Sequence, residues 1–216
     1  MGREFIEMFD EWADTYDLTV KGDDEEYKEV FENYDRILEE VARRAEGTVV
    51  EFGVGTGNLT KHLLKRNLKV YGIEPSARMR GKAKHKFPHL ELYEGDFLNF
   101  PLLDRRVDTI VSSYAFHHLT DEEKDRAIAL YGQWLPEGGK IIFADTLFEN
   151  ESEKRNILDR VKQQGYSRLL HDLETEYYPL KATLADLYAK NGFTVQFTPL
   201  NRYVWLTEAE KRKKNG

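Results

Sequence analysis

The chain has 216 residues, of which 40% are hydrophobic, so it is long enough to bury the core of one α/β domain. A net charge of −7 argues against a broad surface for polyanions such as nucleic acids, and the absence of cysteine excludes disulfides, thiol nucleophiles and cysteine metal sites. No apolar run is long enough for a membrane span or a secretion signal, which predicts a cytoplasmic protein with no membrane association.

Two amphipathic helices are predicted ahead of the first strand. Apolar residues recur at helical spacing between Phe5 and Tyr16, and again between Tyr27 and Val41. The first helix either only covers the core or closes over a bound ligand. The charged segment between the two helices, residues 21–26, is predicted as a solvated loop.

Residues 48–60 predict a buried parallel strand, a glycine turn and the start of a helix. Gly53, Gly55 and Gly57 alternate in this turn, and glycine allows both a positive φ and the close approach of a ligand to the backbone. The G-x-G-x-G spacing differs from the G-x-G-x-x-G of dinucleotide-binding loops. Glu51, just before the glycines, favours a ligand with a positive charge over a pyrophosphate, unless its carboxylate only bonds to neighbouring amides.

Polar residues also stand at the ends of the next predicted strands. Glu74 ends the second strand and is placed to accept hydrogen bonds from both hydroxyls of a ribose. Asp96 follows the third strand, and the fourth strand, residues 107–112, leads into segment 113–118 with its two histidines. Ligands of open α/β sheets bind beyond the carboxyl ends of the strands. We therefore expect Glu74 and segment 113–118 to lie at the same site as the glycine turn.

The second half of the chain departs from strict strand–helix alternation. A fifth predicted strand, residues 140–145, is followed by segment 146–180, whose charged sequence favours inserted helices. This insertion either covers a substrate or only adds packing. A helix and two short strands follow, and the charged residues from Glu208 onward are predicted to form a frayed tail.

Five motifs, in their order and spacing, resemble those of the class I S-adenosylmethionine-dependent methyltransferases. Any one of them is a weak signal, whereas the ordered set is specific and extends over about residues 5–206. Within that family the chain is most similar to the small YrrT-type methyltransferases of bacteria, a resemblance that implies no particular substrate. The motifs are Glu51–Gly57, Glu74, Gly95–Phe97, Asp108–Leu119 and Leu135–Phe143.

The resemblance implies a Rossmann-like α/β fold, with a seven-stranded, mostly parallel sheet, an antiparallel last strand, helices on both faces and a helical cap. We expect a single domain that is a monomer or a homodimer. Its predicted parts are an N-terminal cap (1–46), a cofactor-binding core (47–145), a helical insertion (146–180), a C-terminal helix with a strand pair (181–206) and a tail (207–216).

The family implies S-adenosyl-L-methionine as the cofactor. Asp96 is then expected to accept a hydrogen bond from the exocyclic amine of adenine, and Phe97 to line the base pocket. The alternative is that Asp96 only forms a turn and Phe97 only fills the core. The residues assigned to the cofactor by the resemblance are Tyr16, Glu51, Gly53, Gly55, Gly57, Asn58, Glu74, Pro75, Asp96, Phe97 and Ser113.

Three separated segments are predicted to enclose the methyl acceptor. They are the N-terminal cap with Trp12, the loop after the fourth strand with Tyr114 and Phe116, and the insertion with Tyr177. Aromatic walls with few fixed charges suit a small, partly apolar molecule better than a polymer.

His117 and His118 are the candidate general bases, because an imidazole titrates near neutral pH and both follow the central strand. Adjacent residues usually point in different directions, so at most one of them is expected to face the acceptor. Either histidine can instead close a hydrogen bond within the loop. No metal site is predicted.

The resulting functional hypothesis is an enzyme that transfers a methyl group to a small molecule. The alternatives are a methyltransferase acting on RNA or protein, and a nucleotide-binding protein that does not methylate, such as a nicotinamide oxidoreductase. The acidic composition disfavours RNA, and the glycine spacing with Glu51 disfavours the oxidoreductase. No Asn/Asp-Pro-Pro-Tyr motif follows the fourth strand, so methylation of base or glutamine amino groups has no support. Neither nucleic acid nor membrane is expected as a partner.

Overall fold

The computed structural model describes residues 16–101 and 105–213, so the predicted helix around Trp12 lies outside the described residues. Strands and helices alternate through most of these ranges. The strands are β1 (Thr48–Phe52), β2 (Lys69–Glu74), β3 (Glu91–Glu94), β4 (Thr109–Ser113), β5 (Lys140–Thr146), β6 (Phe193–Pro199) and β7 (Val204–Lys211).

The helices cover both faces of the sheet formed by these strands. Three short helical turns, Tyr16–Leu18, Thr19–Asp23 and Phe116–His118, lie outside the longer helices. The longer ones are α1 (Tyr34–Arg44), α2 (Asn58–Lys65), α3 (Ala77–Lys86), α4 (Asp121–Trp134), α5 (Glu151–Gln164), α6 (Ser167–Thr175) and α7 (Lys181–Lys190).

The seven strands form one sheet in the order β3-β2-β1-β4-β5-β7-β6. β1 pairs in parallel with both β2 and β4, whereas β7 runs antiparallel to β5 and β6. This arrangement confirms the predicted fold. The strand order reverses between β1 and β4, and the crevice beyond their carboxyl ends is where open α/β sheets bind ligands.

The core consists of two hydrophobic clusters, one on each face of the sheet. Val49 of β1 belongs to the cluster packed by α1 and α2, and Val50 belongs to the cluster packed by α4 and α7. Successive residues of a strand point to opposite faces, so a strand such as β1, in which residues 49–52 are all buried, must be covered on both sides.

The helix before β1 is shorter than the sequence predicts. Apolar periodicity from Tyr27 onward predicts one helix, but residues 27–33 form turns and α1 begins at Tyr34. Asn33 adopts a left-handed conformation with φ 61°, which a continuous helix does not allow. Tyr27 and Val30 are nevertheless buried, because this segment packs against the insertion.

The charged segment 21–26 is held to the insertion rather than being only solvated. The Arg168 guanidinium, at the start of α6, donates to Asp24 Oδ2 at 2.9 Å and to Glu26 Oε1 at 3.2 Å. Glu26 Oε2 also accepts from the backbone N–H groups of Arg168 and Leu169. Because the two elements are far apart in sequence, periodicity gives no sign of this contact.

The prediction of a frayed tail from Glu208 is wrong for Glu208–Lys211, which belong to β7. These residues lie between β5 and β6, with Ala209 fully buried and Glu208 accepting from Arg44 Nε at 3.2 Å. The many charged residues of this segment led to the prediction of a tail. They alternate with core residues, however, as expected for a strand with one exposed face. None of the helices in the described ranges combines the length and apolar sequence that a membrane crossing requires.

Candidate active site

The glycine turn between β1 and α2 is shaped by three positive φ angles. Gly53, Gly55 and Gly57 have φ values of 66°, 56° and 86°, which L-residues rarely adopt. A Cβ at Gly55 would meet no atom within 4 Å, whereas one at Gly57 would lie 2.8 Å from the Phe87 ring. Gly57 therefore serves packing, and Gly55 leaves open space above the turn.

Glu74 joins this turn to the end of β2. Its buried carboxylate accepts from Gly55 N at 2.8 Å through Oε2 and from Ser76 N at 2.9 Å through Oε1. Ser76 in turn caps α3 by accepting from Met79 N at 3.1 Å. The Glu74 carboxylate thus holds the glycine turn and the β2–α3 loop together at the carboxyl edge of the sheet without a bound ligand.

A cavity lies directly above these loops, and we call it the glycine-loop cavity. Eight of the eleven residues predicted for the cofactor line it, whereas Glu51, Gly57 and Asn58 do not. Its other wall residues include Met79 and Ala115, which the sequence analysis did not select. Met79 was missed because the basic sequence of α3 suggests solvated surface. The predicted residues that line the cavity are Tyr16, Gly53, Gly55, Glu74, Pro75, Asp96, Phe97 and Ser113.

Asp96 forms a turn and also lines the glycine-loop cavity. Its Oδ1 accepts from the backbone N–H groups of Leu98 and Asn99 at 2.8 and 2.9 Å. Phe97 is buried and stacks on Phe52 with ring centroids 5.4 Å apart. Asp96 therefore forms a turn and Phe97 fills the core, as the structural alternative expected. Both residues nevertheless line the cavity.

Glu51 is a buried acid with one oxygen left without a partner. Its Oε2 accepts from Thr60 Oγ1 at 2.6 Å, while Oε1 has no hydrogen bond within the described part of the chain. Burial raises the pKa of this carboxyl to about 8, and the nearby Glu74 charge adds to the rise. A positively charged ligand bound close to both acids would favour the ionised form of Glu51.

The buried Glu51 predicts a pH-dependent cost in stability. The folded chain keeps a proton on Glu51 up to about pH 8, whereas the unfolded chain releases it near its ordinary pKa of 4.5. The free energy of unfolding therefore falls as pH rises through this window, by up to about 1.4 kcal/mol per pH unit. In urea titrations, Glu51→Gln should gain stability relative to the native chain from pH 5 to 8. Glu39→Gln, on the exposed side of α1, controls for the loss of one charge; equal pH profiles for both variants would contradict the prediction.

The N-terminal end of the described chain is fastened to the glycine turn through Asp17. Its Oδ1 accepts from Thr56 Oγ1 at 2.6 Å and from Asn58 Nδ2 at 3.1 Å, and its Oδ2 pairs with Lys86 Nζ at 2.8 Å. Asn58 thus positions the segment that carries Tyr16, which lines the glycine-loop cavity.

A second cavity of about 510 Å³, the insertion cavity, adjoins the first. Its wall comes from residues 27–31, from the loop 114–118 and from residues 167–178 of the insertion. Tyr16, Tyr114 and His118 line both cavities. The two cavities therefore share part of their walls.

Of the four residues predicted to contact the acceptor, one lines the insertion cavity in the described part of the chain. Tyr114 lines it, Phe116 is buried in the core against Phe97, and Tyr177 is 41% exposed. Tyr178, next to Tyr177, lines the cavity instead. Trp12, the fourth predicted acceptor residue, lies outside the described residues. These residues lie in irregular segments, where the backbone conformation sets the direction of each side chain. Sequence spacing does not predict that conformation.

Both candidate histidines line the insertion cavity, although at most one was expected to face it. They belong to the short helical turn Phe116–His118, with three residues per turn, so one residue points to the core and two share the other side. Their ring centroids are 4.1 Å apart.

Two carboxylates surround His117. Asp145, in β5, accepts from the backbone N–H of His117 at 3.0 Å, and its other oxygen lies 2.6 Å from His117 Nδ1. Glu176 Oε2 lies 3.3 Å from His117 Nε2, and Glu176 Oε1 lies 3.8 Å from His118 Nδ1. Asp145 and Glu176 were not predicted as site residues, and only tertiary contact shows that they belong to this cluster.

The charges of the two imidazoles diverge in this arrangement. Burial acts to lower the pKa of His117, but Asp145 and Glu176 outweigh it and raise the pKa to about 10. Burial and the neighbouring His117 charge lower the pKa of His118 to about 3. At neutral pH the cluster therefore contains one cationic and one neutral imidazole.

Lys124 fastens the insertion to the histidine turn. Its fully buried ammonium donates to the carbonyl oxygens of Leu119 and Tyr177 and lies 3.5 Å from Asp121 Oδ1. The backbone N–H of Tyr177 also donates to the His117 carbonyl at 3.1 Å. These contacts hold Glu176 beside the histidines.

Comparison with known proteins agrees with this geometry. Residues 49–139 match a family described as a methyltransferase domain. An uncharacterized methyltransferase of Bacillus cytotoxicus is 54% identical over 213 residues, covering 98% of this chain and 100% of that protein. Another, from Anoxybacillus flavithermus, is 52% identical over 212 residues, with 98% and 100% covered.

Solved structures share the fold at low sequence identity. Magnesium protoporphyrin IX methyltransferase from Synechocystis, with bound SAH, gives a TM-score of 0.73 at 17% identity, covering 98% of this chain and 100% of that chain. Streptomyces venezuelae DesVI gives a TM-score of 0.66 at 16% identity, with 92% and 98% covered.

Proposed function

Given that this chain belongs to the S-adenosylmethionine-dependent methyltransferases, we propose that it methylates a small molecule held in the insertion cavity. The assignment to this family is based on relatives that are more than 50% identical along almost the whole chain. The observation that carries the proposal is that the insertion cavity shares Tyr16, Tyr114 and His118 with the glycine-loop cavity. An acceptor in one space therefore comes close to a cofactor in the other.

The residues around the glycine turn suit S-adenosylmethionine. Glu74 lines the glycine-loop cavity and can accept from ribose hydroxyls, and Asp96 and Phe97 line the same cavity where the adenine is expected. When bound, the cofactor supplies a methyl group that its sulfonium already activates for transfer. The main task of the protein is then to align the acceptor, and such alignment can supply roughly 7–11 kcal/mol of a barrier.

The size of the insertion cavity favours a small acceptor over a polymer. Its volume of about 510 Å³ falls within the range of small-molecule pockets. The acidic chain disfavours RNA. The same fold also occurs in a methyltransferase named for a porphyrin acceptor, which is a small molecule.

A screen for S-adenosylhomocysteine formation tests the proposal directly. Thiol, hydroxyl, carboxylate and amine metabolites are compared with RNA and protein mixtures, each with the full chain and the cofactor. Turnover with a metabolite supports the proposal, whereas turnover confined to RNA or protein would replace it. A chain that binds NAD in competition with the cofactor would favour the nucleotide-binding alternative.

Narrowing the insertion cavity should impair the acceptor without affecting the cofactor. Ser167 lines this cavity at the start of α6, so Ser167→Trp adds a large side chain at its wall. Overfilling a packed space costs about 1–3 kcal/mol, so kcat/KM for the acceptor should fall roughly ten- to hundredfold. Calorimetry should show unchanged cofactor affinity. Ser152→Trp, in the first turn of α5 and exposed, is the matched control; equal activities of the two variants would argue for an acceptor bound elsewhere.

A further inference from the structure

We propose that His117, His118 and Glu176 bind a divalent transition-metal ion at the wall of the insertion cavity. Each residue offers one ligand atom, and these atoms all lie within 4.8 Å of one another. All three residues line the cavity. The histidines follow β4 and the glutamate follows α6, so the site forms only when the insertion packs on the sheet.

The two distances from the Glu176 carboxylate to the imidazoles are close to those between ligands of one ion. Glu176 Oε2 is 3.3 Å from His117 Nε2, and Glu176 Oε1 is 3.8 Å from His118 Nδ1. Atoms bound at about 2.0–2.2 Å to one ion lie roughly 3.0–3.6 Å apart. The first pair is already in that range and the second is about 0.2 Å outside it. Because the three ligand atoms span up to 4.8 Å, the side chains must draw together by about 1 Å to hold one ion.

The surroundings of His117 match those of a metal-bound imidazole. Metal-ligating histidines commonly hydrogen-bond through their other ring nitrogen to a carboxylate, which fixes the ring orientation. Asp145 does this at Nδ1 with a distance of 2.6 Å, and so directs Nε2 toward Glu176. The Tyr178 hydroxyl donates to Glu176, which fixes the carboxylate in the same way.

The donor set indicates the class of metal. Two imidazole nitrogens and one carboxylate suit zinc, iron, cobalt or manganese, whereas magnesium and calcium prefer oxygen ligands. Metal binding would displace the Nε2 proton of His117 to solvent, and the charges of Asp145 and Glu176 then balance those of a divalent ion. Three protein ligands leave room for a further ligand, as in catalytic zinc sites. A methyl acceptor with a thiol or hydroxyl group can supply this fourth ligand. This role of the metal rests on the proposed function.

The competing interpretation is a structural ion pair in which a cationic His117 links Asp145 and Glu176. That interpretation accounts for the contacts of His117 but assigns no role to His118, which lies beside the same carboxylate and also lines the glycine-loop cavity. It predicts that no metal binds. The two interpretations therefore differ in one measurable property.

The test is a titration of the untagged full chain, freed of metal by a chelator, with Co²⁺ in the absence of cofactor and acceptor. We expect one equivalent to bind, with the visible absorption of cobalt held by nitrogen and oxygen ligands, and no displacement by excess Mg²⁺. Glu176→Gln and His118→Gln should each weaken binding at least tenfold. Asp145→Asn should weaken it roughly ten- to hundredfold by releasing His117.

His171→Gln is the matched control, because His171 lines the same cavity outside the cluster and should leave Co²⁺ affinity unchanged. Thermal melts establish that each variant folds, and His118→Gln decides the result if Glu176→Gln does not fold. Absence of Co²⁺ binding to the native chain, or equal affinity in the cluster variants, would overturn the proposal. Because no methyl transfer is measured, failure of the proposed function leaves this result unaffected.

Discussion

Replacing Gly55 by valine should abolish S-adenosylmethionine binding while the sheet stays folded. Gly55 lines the glycine-loop cavity, and a Cβ built on it meets no protein atom within 4 Å, so the new side chain would enter the ligand space. Overpacking a fitted space costs about 1–3 kcal/mol and occasionally more, and we expect at least the upper end because this side chain would occupy the ligand space itself. Calorimetry should therefore show an affinity loss of at least about a hundredfold.

The control for this substitution must reproduce the backbone strain without the clash. Gly138, in the turn between α4 and β5, has φ 76° and also has no atom within 4 Å of a built Cβ. Gly138→Val carries a similar conformational cost and does not line the glycine-loop cavity. Retained affinity in Gly55→Val, or equal loss in Gly138→Val, would show that the cofactor does not lie against Gly55.

Replacing Glu74 by alanine should weaken cofactor binding by about a hundredfold. Hydrogen bonds to a charged group contribute about 1.5–3 kcal/mol, equivalent to roughly ten- to hundredfold in affinity. We expect the upper end, because the same carboxylate accepts from the backbone N–H groups of Gly55 and Ser76. The substitution removes the proposed contacts to the ribose and also the two backbone hydrogen bonds that hold the turn carrying Gly55.

Two further variants separate these contributions. Glu74→Gln keeps one acceptor oxygen, so its affinity should lie between those of Glu74→Ala and the native chain. Glu94→Ala is the matched control, because Glu94 ends the neighbouring strand β3 but pairs with Arg80 at the surface. An unchanged dissociation constant in Glu74→Ala, measured by calorimetry, would remove Glu74 from the cofactor site.

The sequence by itself was sufficient for the fold and the cofactor. A buried strand, alternating glycines and a helix start are local features, and the ordered motifs carry the family resemblance that implies the seven-stranded sheet and the cofactor. Glu74 was selected by its position at the carboxyl end of a strand, and Asp96 by the family resemblance. Parallel strands bring their carboxyl ends to one edge of the sheet. In the structure both residues line the glycine-loop cavity together with Gly53 and Gly55.

Only the tertiary structure decided which side chains of the irregular segments meet. Glu176 reaches His117 and His118 because the insertion packs on the histidine turn, and periodicity carries no information about contacts between distant loops. The same reason places Tyr178 rather than Tyr177 at the insertion cavity. In a regular strand or helix the repeat fixes the direction of each side chain, whereas in turns it depends on the elements that pack around them.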